Sequence, residues 1–191
     1  MTAAPYEFAF RGLLTEEALD RAGRQPKSIA GMFDAEIAET VSIALLDDAF
    51  VGPAKQMAAV YVAVAAFENS VRDLVTRVML EAVGETWWDE KVSERVRKHC
   101  KTRQEDEERN RYHKQRGDAP INYTELKDIV NIIRANWEYF EAFLPSPEWT
   151  SSVFDAIERS RNVIMHSGIL DREDVERVGI NIRDWVKQVG A

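Results

Sequence analysis

The amino-acid sequence predicts an all-α protein, an up-and-down helical bundle preceded by a helical extension. Three observations carry that expectation. Apolar residues recur at helical spacing through most of the chain, the Gly, Pro and Ser-Gly breaks between those segments are short, and no stretch alternates apolar with polar residues as a half-buried strand would. At 191 residues, 45% hydrophobic and 30% charged, the chain is large enough to bury a real core as one globular unit. Its organisation reads as an extension over 1–50 and a helical domain over 51–191, without internal repeats or low-complexity tracts.

Charge and cysteine content narrow the class. Lys and Arg number 25 against 33 Asp and Glu, a formal charge of −8 that argues against non-specific binding of nucleic acid by the whole surface. A local basic groove remains compatible with it. The single cysteine, Cys100, rules out an intramolecular disulfide and fits a reducing, cytoplasmic compartment. No signal peptide is read at the N-terminus, and the longest apolar run, Met57 to Phe67, is too short to span a bilayer, so no membrane association is expected.

In order along the chain, Thr15 can cap a short helix reaching Arg21, with Glu16 and Glu17 in its first turn, before Gly23, Pro26 and Gly31 break the pattern. Asp34 is the expected N-cap of a helix to about Phe50 with Ile37, Val41, Ala44 and Leu45 on one face, ended by Gly52-Pro53. The next helix, about Ala54 to Val83, is the most apolar, with Val64, Val71, Val75, Val78 and Ala82 as its stripe and Gly84 as its stop. Glu68 falls inside that stripe and needs a cationic or donor partner. Two are in view: Arg72, one turn on, or a functional arginine on another helix that Glu68 reaches across the core to orient.

From Lys91 to Arg116 the charge reverses, with ten Lys or Arg against five Asp or Glu, so this segment is +5 and the remainder −13. Trp87, Trp88 and Tyr112 flank or interrupt it, a mixture of cations and stacking faces that suits single-stranded nucleic acid through Lys91, Arg95, Lys98 and Arg103. A solvated helix and loop would give the same charge run. The spacing of His99, Cys100 and His113 matches no zinc pattern, so no metal is expected. Asn122 or Thr124 is the expected cap of a long amphipathic helix through Leu144, with Leu126, Ile129, Val130, Ile133, Trp137, Phe140 and Leu144 as its stripe. Ser146 caps the following helix, Pro147 to about Ser167, and Asp171 caps the last, with Val175, Val178, Ile182, Trp185 and Val189 inward.

The helix from Pro147 carries the densest chemistry, Arg161-Asn162-Val163-Ile164-Met165-His166, ending at Ser167-Gly168. At about 100° per residue, Trp149, Val153, Ala156, Ser160 and Ile164 form the buried stripe. Asn162 and His166 then share a polar face with Asp155 and Arg159, and Arg161 lies at the border, long enough to reach Glu68. An arginine beside a histidine is the minimum set for metal-free phosphodiester cleavage. The imidazole moves a proton from a ribose 2′-hydroxyl or to the leaving oxygen, while the guanidinium holds the phosphate. Spacing alone also allows a harmless capping histidine.

The hexapeptide Arg161–His166 resembles the R-x4–6-H signature of the HEPN superfamily. Phe67-Glu68-Asn69-Ser70-Val71-Arg72-Asp73-Leu74-Val75 is similar to that family's earlier helix, which carries a polar residue facing the site. With Asn136-Trp137-Glu138-Tyr139-Phe140, the match is closest to the subfamily found in a eukaryotic nuclear mRNA quality-control endoribonuclease and in bacterial defence proteins. The resemblance spans about Ala54 to Val189. It implies an α-helical homodimer whose two motifs meet in one RNA-cleaving cleft, with no cofactor or metal. Carried over, Arg161 and His166 would be catalytic, Asn162 would position them, and Glu68 with Arg72 would support them. The expected substrate is RNA, in toxin, abortive-infection or RNA-processing biology, with an antitoxin or other partner protein as a further expectation. HEPN toxins silenced by adenylylation carry a tyrosine two residues after the histidine. Gly168 stands there, so an antitoxin of that type is not expected. A non-catalytic HEPN-like dimer that binds RNA or a partner, and a purely structural helical dimer, are the alternatives.

Overall fold

The computed structural model describes the backbone of residues 29–190 and the side chains of residues 35–190. The expected short helix from Thr15 to Arg21 lies outside these residues. Among the described residues the structure is all-α, with eight α-helices, two 3-10 turns and no strand. The chain divides into two compact units, one ending at Gly52 and one beginning at Pro53.

In the first unit, α1 spans Ile29–Thr40 and a 3-10 turn spans Ile43–Leu45. Gly31 and Asp34 lie inside α1, so neither the expected break nor the expected cap falls where the sequence suggested. The helix ends at Thr40 because Ser42 adopts a left-handed conformation, φ 56°, that cannot continue it. Ile37, Val41 and Leu45, the expected stripe, are exposed.

Helix α2 spans Asp48–Val83 and runs through Gly52-Pro53 rather than starting after it. Asp47 supplies the start, its Oδ1 accepting the Ala49 N–H at 2.8 Å. Pro53 sits in the second turn and only leaves the Ala49 carbonyl without its helical donor, a loss the long helix tolerates. At 36 residues α2 is, by length and composition, long and apolar enough to cross a membrane, which corrects the reading from its apolar run. Its stripe Val64, Phe67, Val71, Leu74, Val75, Val78 and Met79 is nevertheless buried in the helical core. Ala82, expected in the stripe, is exposed.

The second unit continues with α3 (Trp87–Lys91) and α4 (Glu94–Arg109), then a 3-10 turn over Pro120–Tyr123. Helices α5 (Leu126–Ala135) and α6 (Trp137–Phe140) replace the single long helix expected there. Glu125 is the cap, its N–H donating to Asp128 Oδ2 at 3.0 Å, rather than Asn122 or Thr124. The break comes from Asn136, which is buried. Its Nδ2 donates to the Ile132 carbonyl at 2.8 Å and to the Lys91 carbonyl at 3.2 Å, tying the kink to the end of α3.

Helices α7 (Pro147–Met165) and α8 (Arg172–Val189) begin at the expected caps. Ser146 Oγ accepts from Trp149 N–H at 3.1 Å and Asp171 Oδ1 from Asp174 N–H at 2.8 Å. Helix α7 packs against both α5 and α8. An aromatic node joins α2, α7 and α8: Phe67, Phe154 and Trp185 meet edge-on with centroids 5.3–5.7 Å apart, and Trp149 stacks on Trp185 at 5.9 Å. Each such pair contributes roughly 1 kcal/mol beyond area burial. This node fixes α7 against α2, and so fixes where Arg161 falls relative to Glu68.

Candidate functional site

The site is built on two helix faces that the core forces together. On α2, Phe67 lies in the aromatic node and Val71 is buried, which leaves Glu68 at the edge of the buried stripe, its side chain 12% exposed. On α7, Val153, Ile157 and Ser160 are buried, and Arg161 follows them at the same edge. Arg161 Nε lies 2.8 Å from Glu68 Oε1, while Arg72 Nη2 lies 3.1 Å from Glu68 Oε2. One carboxylate therefore serves both arginines, an oxygen each, so the two partners in view from the sequence are held at once.

Arg72 is fixed from further sides. Its Nη2 also donates to the Thr124 carbonyl at 3.1 Å and its Nη1 to Asn69 Oδ1 at 3.3 Å, while its Nε is buried without a partner. The network thus runs from the strap before α5, through Arg72 and Glu68, to Arg161. Arg161 spends only its Nε on Glu68. Its side chain is 37% exposed, and among the described residues no hydrogen bond or ion pair occupies its two Nη groups. That leaves both Nη groups free of a partner among the described residues, the pair of donors that can bind two oxygens of a phosphate.

His166 is the C-cap of α7. Its N–H donates to the Asn162 and Val163 carbonyls at 3.2 and 3.3 Å, and its imidazole is exposed with no hydrogen bond to a described residue. The turn after it is a Schellman motif. Ser167 N–H donates to the Ile164 carbonyl at 3.0 Å and Gly168 N–H to the Val163 carbonyl at 2.8 Å. The left-handed residue is Ser167, φ 61°, not the glycine. Gly168 is needed for space instead, since a Cβ there would lie 2.6 Å from Val163 Cγ1 and 2.8 Å from the Val163 carbonyl. Asn162 is exposed one turn before His166 and meets it through its carbonyl. Three apolar side chains within three residues of His166 in the chain, Val163, Met165 and Ile169, are exposed.

The basic segment divides more sharply than its sequence suggested. Arg103 turns inward, 2.8 Å from Glu125 Oε1, 3.1 Å from Asp128 Oδ2 and 2.8 Å from the Tyr123 carbonyl. Lys91 lies over the Tyr139 ring, Nζ 5.5 Å from the centroid. Arg95 and Lys98 are exposed on α4 and pair with no carboxylate among the described residues. Trp87 is buried and Trp88 packs on the core, so neither offers a stacking face. Burial pushes the Cys100 thiol up to about 11, beneath Arg103. Among the described residues no three His, Cys, Asp or Glu side chains converge as a metal site.

A cavity of about 660 Å³ lies on a neighbouring face of α7 towards α8 and includes neither Arg161 nor His166. The sequence reasoning missed the Thr124 carbonyl and Asn69. Nothing in periodicity signals a backbone acceptor 52 residues from Arg72.

A scan against family models matched the Swt1-like HEPN model over residues 63–190. No curated protein and no solved structure matched the chain. The matched span begins in α2 just before Glu68 and ends with α8, so it takes in the whole Glu68–Arg161–His166 arrangement. The chain belongs to the Swt1-like HEPN family.

Proposed function

We propose that the protein is a metal-independent endoribonuclease that works as a homodimer, each protomer contributing one Arg161–His166 half-site. Membership of a HEPN family supports an RNA-directed role, as a nuclease or as an RNA-binding domain. The observation that favours cleavage is the division of labour around Arg161. Glu68 holds the guanidinium by Nε alone and leaves its two Nη groups open, on the same helix whose end carries an imidazole without a hydrogen bond to a described residue.

In this reading the substrate's 2′-oxygen attacks the adjacent phosphorus as the P–O5′ bond breaks. His166 takes the 2′-hydroxyl proton or delivers a proton to the departing 5′-oxygen, and Arg161 balances the charge gathering on the non-bridging oxygens. One imidazole cannot sit on both sides of an in-line displacement, so a second His166 from the partner protomer supplies the other proton transfer. The apolar Val163, Met165 and Ile169, near His166 in the chain, are the surface a second copy would cover. The products are a 2′,3′-cyclic phosphate and a 5′-hydroxyl.

The test is cleavage of a labelled single-stranded RNA in EDTA, with the ends identified. Cyclic-phosphate ends, and a loss of about 10²–10⁴-fold in His166→Ala with an unchanged melting temperature, are expected. Equal cleavage by wild type and His166→Ala overturns the reading. Tight RNA binding with no turnover in either would favour the alternative, an RNA-holding HEPN dimer.

A further inference from the structure

The loop between α4 and the Pro120–Tyr123 turn sets two cations that pair with no carboxylate among the described residues on either side of an exposed aromatic ring. Tyr112 is 89% exposed, the most exposed large apolar side chain among the described residues. Arg111, His113 and Lys114 beside it are exposed, and Arg111 and Lys114 pair with no carboxylate among the described residues. The residues at the loop's two ends behave differently. Arg109 is paired with Asp106, and Arg116 with Glu107, whose Oε2 also accepts the Arg116 N–H at 3.1 Å. The Arg116 guanidinium lies over the Tyr123 ring at 5.9 Å, and Tyr123 Oη donates to the Gly117 carbonyl at 3.0 Å. The base of the loop is therefore pinned while its tip is presented, and a cavity of about 430 Å³ at the base is lined by Glu107, Asn110, His113, Lys114, Gln115 and Arg116.

The pinning residue connects the loop to the candidate site. Tyr123 is buried, its carbonyl accepts from Arg103 at 2.8 Å, and the next carbonyl, Thr124, accepts from Arg72. Arg72 holds Glu68, and Glu68 holds Arg161. A chain of direct contacts thus runs from the stem of the cationic loop to the proposed catalytic arginine.

We propose that the loop over residues 110–116 is a single-stranded RNA platform, on which Tyr112 stacks a base while Arg111 and Lys114 hold the adjoining phosphates. The proposal rests on the RNA-directed reading of the site and adds where the strand is gripped. A solvent-exposed ring with cations on both sides suits a ligand that offers π-faces and phosphates at every nucleotide. It suits an acidic protein less well, because carboxylates use the cations but leave the ring unoccupied.

The test measures binding rather than cleavage. Fluorescence anisotropy of a fluorescein-labelled, mixed-sequence single-stranded RNA is recorded with the full chain carrying His166→Ala, alone and with either Tyr112→Ala or Arg111→Gln/Lys114→Gln. Tyr112→Ala is expected to raise Kd about 5- to 150-fold, the range for loss of one stacked base. The double variant is expected to flatten the slope of log Kd against log salt by about 1.4, two single-strand phosphate contacts. RNA binding with unchanged Kd and slope in both variants overturns the loop assignment and leaves the RNA reading of the site standing. No RNA binding by the His166→Ala chain overturns both. A double variant that loses affinity while Tyr112→Ala does not overturns the platform in favour of a purely electrostatic surface, which competition by poly-glutamate would identify as an acidic-protein site.

Discussion

Removing the Glu68 carboxylate should cost more than removing the arginine it presents. Glu68→Ala takes from Arg72 the only carboxylate it pairs with among the described residues, and the Arg72 side chain is 15% exposed with its Nε already buried without a partner there. Breaking a buried pair from one side costs about 3–5 kcal/mol, and breaking an exposed one less than about 1 kcal/mol. The Glu68–Arg72 pair lies towards the buried end, and Arg72 keeps the Thr124 carbonyl and Asn69, so about 3 kcal/mol is expected. Arg161→Ala leaves Glu68 still paired with Arg72 and removes a partly exposed charged contact, about 1 kcal/mol. At about 2–4 °C per kcal/mol for a chain of this size, the melting temperature should fall by about 6–12 °C and about 2–4 °C respectively.

Thermal melts of the two single variants and the Glu68→Ala/Arg161→Ala double variant complete the cycle. Because the two residues share a bond, the double variant should fall short of the sum by about 1 kcal/mol. Additivity to within about 0.3 kcal/mol would refute the shared carboxylate. So would a larger loss from Arg161→Ala than from Glu68→Ala.

Further outcomes follow from other parts of the fold. At the end of α7, Gly168→Ala should destabilise by about 1–3 kcal/mol because its Cβ meets Val163, whereas Ser167→Gly should stabilise by about 0.5–1 kcal/mol by relieving φ 61°; opposite shifts in denaturant midpoint check both. Asn136→Ala, which strips the Ile132 and Lys91 carbonyls of a buried donor, should cost about 2 kcal/mol in the same assay. The Cys100 thiol, buried and pushed up to about 11, should resist DTNB at pH 8 in the folded protein and react fully once unfolded by denaturant. Met165→Glu and Ile169→Glu should weaken self-association, seen as a lower mass in light scattering at equal concentration.

The sequence made the helical class legible because the stripes of α2, α7 and α8 are strongly periodic, and Ser146, Pro147 and Asp171 mark two helix starts without ambiguity. Glu68 stood out for a physical reason, a carboxylate on an apolar face. Which arginine it served could not be read, because periodicity treats one pair at a time and a carboxylate has two oxygens to give. The break at Asn136 was hidden for a related reason. The apolar stripe continues on both sides of it, and the kink is made by a side-chain amide taking two backbone carbonyls. Pro53 misled in the opposite direction, since a proline in the second turn of a 36-residue helix removes one donor without ending it. The charge of the basic segment was readable, but its division between inward Arg103, ring-bound Lys91 and the open tip at Arg111–Lys114 depends on tertiary partners.

The most direct test of the account mixes the active protein with an inactive one. His166→Ala is expected to lose RNA cleavage as a homodimer while keeping a near wild-type melting temperature. After subunit exchange at fixed total protein, heterodimers hold only one of the two histidines that the shared cleft needs. If each chain supplies half of one RNA-cleaving cleft, the heterodimers are inactive and cleavage should fall with the square of the wild-type fraction, to about a quarter in an equal mixture. Cleavage that falls only in proportion to the wild-type fraction, to about half, although exchange is complete by mass measurement, would contradict the composite site.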